Sequence, residues 1–120
     1  MHLEFAGAYN PLYLVRDNEI IQVKGDKFPV GAFLGKQEKF TNHKVQVQKG
    51  DTIYIFSDGF PDQFGGPRGK KFMYRRFREL LLQIQEHSME MQRKILDKTL
   101  EEWRGNLEQV DDILVIGVRV

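Results

Sequence analysis

Cysteine is absent from the 120 residues, which excludes a disulfide framework and a thiolate-bound metal and suits a reducing compartment. Neither sign of charge dominates. The 18 lysines and arginines against 17 aspartates and glutamates leave a formal net charge of +1, so no bulk field draws the chain to nucleic acid or anionic lipid. Long apolar runs are also missing: stretches such as Ile53 to Phe56 and Ile113 to Ile116 fall far short of the roughly 20 residues that span a bilayer. The first residues carry no charged-then-apolar secretion signal. A chain with no membrane insertion by this segment and a cytoplasmic location is therefore expected. Histidine is sparse, and His2, His43 and His87 are too scattered to pair as metal ligands. Trp103 and the four methionines read as packing residues.

What is present is a series of short elements. Leu3 to Ala8, Leu12 to Arg16, Glu19 to Lys24, His43 to Gln48 and Thr52 to Ser57 read as strands bounded by Gly, Pro, Asn or Asp. Asp17-Asn18 marks a tight hairpin. His43, Val45 and Val47 alternate with polar residues in the period of a half-buried strand. Asp58 to Lys70, rich in glycine and holding Pro61 and Pro67, reads as a loop.

Apolar positions from Phe72 through Phe77, Leu80, Leu81 and Ile84 predict an amphipathic helix over Lys71 to Gln85. A second helix is expected after Ser88 as N-cap. Its apolar positions are Met91, Ile95, Leu96, Thr99, Leu100 and Trp103, and Gly105 ends it. Ile113 to Val120 is a final strand. No repeat or interdomain linker appears, so residues 1–120 read as one α+β unit of antiparallel β-meander with two packed helices.

Two acidic positions stand at strand ends. The run DTIYIFSDG leads an apolar strand into Asp58-Gly59, and Asp111-Asp112 immediately precedes the last strand. If the two strands are antiparallel neighbours, these ends lie about 5 Å apart across the ladder. Asp58 and Asp111 then come within reach of one ion. Oxygen ligands of this kind suit Mg²⁺ or Mn²⁺. Aspartates at such positions also serve simply as turn and loop caps, and spacing alone leaves both readings open.

The blocks FAGAYNPLYLVRDNEI, FPVGAF, GDTIYIFSDGFPDQFGG and VDDILVIGVRV together resemble the metal-dependent (type 2C-like) protein phosphatase family, in the bacterial branch of the stage II sporulation protein E. The Ser57-Asp58-Gly59 and Asp111-Asp112-Ile113 blocks carry the resemblance most specifically. It implies a β-sandwich flanked by paired helices, and metal-assisted hydrolysis of phosphoserine or phosphothreonine on a regulatory phosphoprotein. Metal ligands are implied at Asp58 and Asp111, with Asp112 as an alternate, and two Mg²⁺ or Mn²⁺ ions in a complete domain. The family's earlier Asp-Gly block, whose carboxylate bridges the two metals, has no counterpart here, so this chain is expected to be the C-terminal part of the domain and inactive alone.

Substrate contact is expected from Gly59 and the following loop through Asp62 and Arg68, against the alternative of a solvated surface loop. The resemblance also implies an upstream sensor or regulatory domain, and the edges and apolar surface exposed in a cut domain would favour self-association, a homodimer being one such form. Two competing functions are a catalytically dead interaction module and a nucleic-acid-binding domain. The second rests on Lys70, Lys71, Arg75, Arg76 and Arg78, but Phe72, Tyr74 and Phe77 between them fit core packing better than base stacking.

Overall fold

The computed structural model describes residues 2–5, 10–23 and 43–120. The elements are β1 (His2–Phe5), β2 (Leu12–Arg16), β3 (Glu19–Val23), β4 (His43–Gln46), β5 (Thr52–Phe56), α1 (Gly59–Asp62), β6 (Phe64–Gly65), β7 (Lys70–Lys71), α2 (Tyr74–Gln83), α3 (Met89–Arg104) and β8 (Val115–Arg119). This is the α+β class. The strands do not pair in simple chain order: β1 pairs with β4, β6 with β7, and a four-stranded sheet runs β3-β2-β5-β8. Residues 6–9 of the first block, the end of the expected third strand at residue 24, and the FPVGAF block lie outside the described residues.

Two compact units are present, one formed by described residues up to Ile55 with Gly117–Val120, the other by Phe56–Ile116. In the first, Leu12, Leu14, Val47 and Ile53 form a buried cluster against which Val23 and Val120 pack. β2 lies between β3 and β5, and Leu12, Tyr13, Leu14 and Val15 are all buried. Cover on both faces explains why this strand reads as a continuous apolar run without alternation. Its hairpin partner β3 follows directly, with Arg16 opposite Glu19. Asp17 and Asn18 between them have φ of 51° and 61°. Such left-handed pairs twist in the sense of the strands they join, and Asp and Asn tolerate the conformation.

The second unit corrects the expectation of an irregular loop from Asp58 to Lys70. Phe60 and Pro61 are buried in α1, a place Pro tolerates in the first helical turn. Phe60 packs on Phe72 at 5.3 Å and Phe77 at 5.2 Å between ring centroids. Burial of this ring gives the short helix a reason to form inside a glycine-rich segment. β6 and β7 then make a small hairpin with Gly65 opposite Lys70.

The expected first helix is shorter than its apolar pattern. Lys71 belongs to β7, and Met73, at φ 83°, lies outside the helical region, so α2 begins at Tyr74. Phe72 still joins the core, from a connecting segment. α3 begins and ends where its caps predict: the Ser88 side chain accepts from the Met91 N–H, and Gly105 at φ 55° closes it. Its buried stripe is Gln92, Leu96 and Leu100, rotated from the expected face, so Met91 is exposed. Gln92 is satisfied by donating from Nε2 to the His87 carbonyl.

Candidate functional site

The ends of β5 and β8 meet as the antiparallel reading requires. The Val120 N–H donates to the Asp51 carbonyl, and the Ser57 N–H to the Leu114 carbonyl, both at 2.9 Å. The two bonds advance in opposite directions along the two strands, which defines antiparallel pairing. Ser57 also ties the ends through its side chain. Its hydroxyl donates to the Asp112 carbonyl at 2.8 Å and accepts from the Leu114 N–H at 2.9 Å.

Asp58 leaves this junction as the N-cap of α1, with φ −68° and ψ −12° and no side-chain capping bond. Its half-buried carboxylate instead accepts at Oδ1 from the Tyr74 hydroxyl at the start of α2. Gly59 packs directly on the Asp112 backbone and beside Ile113, so the Asp58-Gly59 corner rests against the Asp112-Ile113 segment. Asp111 and Asp112 are exposed. The Asp111 carboxylate accepts at Oδ1 from the Asp112 N–H at 2.8 Å, and its carbonyl accepts from Gln109 Nε2 at 3.0 Å.

Asp62 lies at the end of α1, where its carboxylate faces Lys71 at 3.7 Å. Arg68 sits on the hairpin joining β6 and β7, on the wall of a cavity shared with Lys70, Lys71 and Arg76. Asp58, Asp111 and Asp112 are not among the residues lining it. Ser57, Tyr74 and Gln63 are structural participants that reading the sequence missed. Ser57 was visible only as a member of its block, and a tyrosine 16 residues beyond Asp58 carries no local signal. Gln63 is almost fully buried. Its Nε2 donates to the Phe64 and Glu108 carbonyls at 3.0 and 2.9 Å, and its own carbonyl accepts from Trp103 Nε1 at 2.9 Å. Phe72 and Phe77 are buried and Tyr74 is engaged by Asp58, so the basic run is not interleaved with free stacking platforms.

A family model described as "Stage II sporulation protein E (SpoIIE)" matches residues 1–120. The chain belongs to this family. It is a PP2C-like phosphatase domain sequence, 34% identical to the SiaA-PP2C domain of Pseudomonas aeruginosa, with a TM-score of 0.87 over 99% of this chain and 46% of that one. The fold also matches the PP2C phosphatase domain with a regulatory-domain fragment of SpoIIE from Bacillus subtilis, at 18% identity, a TM-score of 0.68, and 99% and 33% coverage of the two chains. A manganese-presoaked form of the SpoIIE phosphatase domain matches at 17% identity, a TM-score of 0.63, and 93% and 47% coverage. This chain spans less than half the length of each. Comparison with curated proteins gives no match.

The family implies a divalent cation, and the carboxylate donors of Asp58 and Asp111 suit one. Asp58 and Asp111 each have one carboxylate oxygen engaged by a protein donor and the other unengaged among the described residues. Hard cations that retain several waters bind through one or two such carboxylates. Among the described residues, however, no group of three or more His, Cys, Asp or Glu side chains converges on a point. The SpoIIE-family residues here therefore fit a cation in ligand type but supply only a sparse set.

Proposed function

We propose that this chain supplies part of a divalent-cation site for hydrolysis of phosphoserine or phosphothreonine on a regulatory phosphoprotein. Asp58 and Asp111 are the ligands and Asp112 the alternate. The observation that carries this reading is the hydroxyl of Ser57, the residue before Asp58, which bonds the Asp112 carbonyl and the Leu114 N–H where the ends of β5 and β8 meet in a member of a phosphatase family. Tyr74 orients the Asp58 carboxylate by its hydrogen bond. Mg²⁺ or Mn²⁺, when bound, supplies charge stabilisation at the phosphoryl oxygens and acidifies a water. Gly59 lets the corner approach the opposite segment, while Asp62 and Arg68 contact the substrate beyond the metal ligands.

The sparse ligand set supports a chain that is inactive alone and completed by an upstream half bearing the remaining carboxylate block. A sensor or regulatory domain controls the complete protein in this reading. Leu114, just before β8, and Ile116 and Val118 within it are exposed, and β8 is the end strand of its sheet. Such an apolar row supports cover by that half or by a second copy of the chain.

The test is Mn²⁺-dependent phosphate release from a phosphoserine protein, measured for this chain, for the chain joined to the upstream block, and for the joined protein carrying Asp58→Asn. Activity in the joined protein, lost in the variant and absent from the chain alone, is the expected pattern. No activity in the joined protein would favour the interaction-module reading, which the absence of a three-residue ligand group among the described residues keeps as the competitor.

A further inference from the structure

A cavity of about 440 Å³ opens in the Phe56–Ile116 unit where the β6–β7 hairpin meets the start of α2 and the end of α3. Its volume lies in the range of ligand-binding clefts, roughly 300–1,000 Å³. Arg68, Lys70, Lys71 and Arg76 line it, and no carboxylate does. Lys71 faces Asp62 across 3.7 Å, with the two side chains 46% and 37% exposed, and a pair so open to water contributes little. Arg68, Lys70 and Arg76 make no ion pair among the described residues. The apolar part of the wall is Met73, 57% exposed, and Trp103.

The wall chemistry selects among anions. The Trp103 ring carries the Arg76 guanidinium 4.6 Å from its centroid, meets the Phe72 edge at 5.3 Å, and backs on Gly66, where an added methyl would come 2.6 Å from the ring. An indole so engaged is a fixed wall rather than the open face on which a nucleobase stacks. The cavity also greatly exceeds a single phosphate ion, since one water's share of liquid volume is about 30 Å³. Several cations spread around an apolar patch match an extended chain of alternating character. Its carboxylates or phosphate reach the guanidinium and ammonium groups, while an apolar neighbour covers Met73 and Trp103.

We propose that this cavity docks an acidic peptide segment of a partner protein, with Arg68, Lys70 and Arg76 as its anion contacts and Met73 with Trp103 as its apolar floor. The proposal rests on the phosphoprotein reading only for whose segment it is, namely a stretch of the substrate outside the hydrolysed residue. Docking here adds binding energy remote from the reacting bond.

Trp103 is the single tryptophan, so its emission reports directly on the cavity without any turnover. The experiment titrates the full chain with a capped peptide rich in glutamate and aspartate around one serine and one leucine, with its serine-phosphorylated form, with a neutral peptide in which glutamine and asparagine replace the acids, and with inorganic phosphate. A saturable change with the acidic peptides, weakened by salt and absent with the neutral peptide, is expected. Combined Arg68→Glu and Lys70→Glu weakens it by about tenfold or more. Circular dichroism stays unchanged, because both side chains are exposed. No saturable response, an equal response to the neutral peptide, a response to phosphate alone, or indifference to the charge reversal would overturn the proposal. Because the readout is binding, a negative phosphatase assay and a negative titration fail separately.

Discussion

Gly59 rests on the Asp112 backbone so closely that a methyl group on its α-carbon would collide with the Asp112 carbonyl and come 2.8 Å from Ile113 Cγ1. The approach lets the Asp58 corner and the start of β8 share one edge. Backbone cannot yield as a flexible side chain does, so Gly59→Ala must push the two segments apart. A loss of about 1–3 kcal/mol is expected, the usual range for overpacking, read from urea denaturation. A stability equal to that of the unaltered chain would mean that the edge is not closed.

Ser57→Ala removes the hydroxyl that both donates to Asp112 and accepts from Leu114. Both bonds are exposed, so water replaces part of what is lost, and the expected cost is about 1 kcal/mol. The more specific signature is local. Amide exchange at Leu114 should accelerate while β2 amides keep their protection, and uniform acceleration would contradict a local role.

Arg16 grips Asp51 with Nε to Oδ1 at 2.9 Å and Nη2 to Oδ2 at 2.6 Å, and the Gln48 N–H adds a third bond to the carboxylate. The guanidinium, more than the backbone donor, holds the Asp51 carboxyl below its ordinary 3.8 against the opposing effect of burial. The unfolded chain therefore binds this proton first as pH falls. The contribution is complete above about 3.8 and disappears as pH drops through the lower folded value. Urea midpoints measured from neutral pH downward should fall across that window in the unaltered chain. Asp51→Asn should lose roughly 2 kcal/mol at neutral pH, with the gap closing at the acid end; a pH-independent gap would remove the ion pair as its cause.

What could be read in advance follows from range along the chain. Ser88 and Gly105 bound α3, and Asp17-Asn18 turns the β2–β3 hairpin, because cap and turn chemistry acts within a few residues. The antiparallel meeting of β5 and β8 was also legible, since each strand is an apolar run with acidic residues at the appropriate end. Contacts set by packing were not. Met73 adopts a positive φ that nothing in its side chain announces, and it delays α2. Phe60 anchors α1 to the aromatic core within a segment whose glycines and prolines read as loop. Tyr74 reaches Asp58 and Trp103 reaches Gln63 only after the aromatic core has placed them.

Gln63 concentrates the consequences of that packing. Its Nε2 satisfies two carbonyls, while its Oε1 is buried with no hydrogen-bond partner among the described residues. Gln63→Met gives up both donated bonds but also removes the orphaned oxygen, so the two effects largely offset and a net loss of about 1 kcal/mol is expected. Gln63→Glu loses the donors and, once ionised, buries a charge facing carbonyl oxygens, at a cost of roughly 3 kcal/mol or more. That burial raises the introduced carboxyl's pKa in the fold, so the penalty should grow as pH rises above about 4.3, the ordinary glutamate value, and level off above the raised one. Denaturation of both variants at acid and neutral pH checks the order. A methionine variant weaker than the glutamate variant at neutral pH would mean that the Gln63 side chain is reached by water.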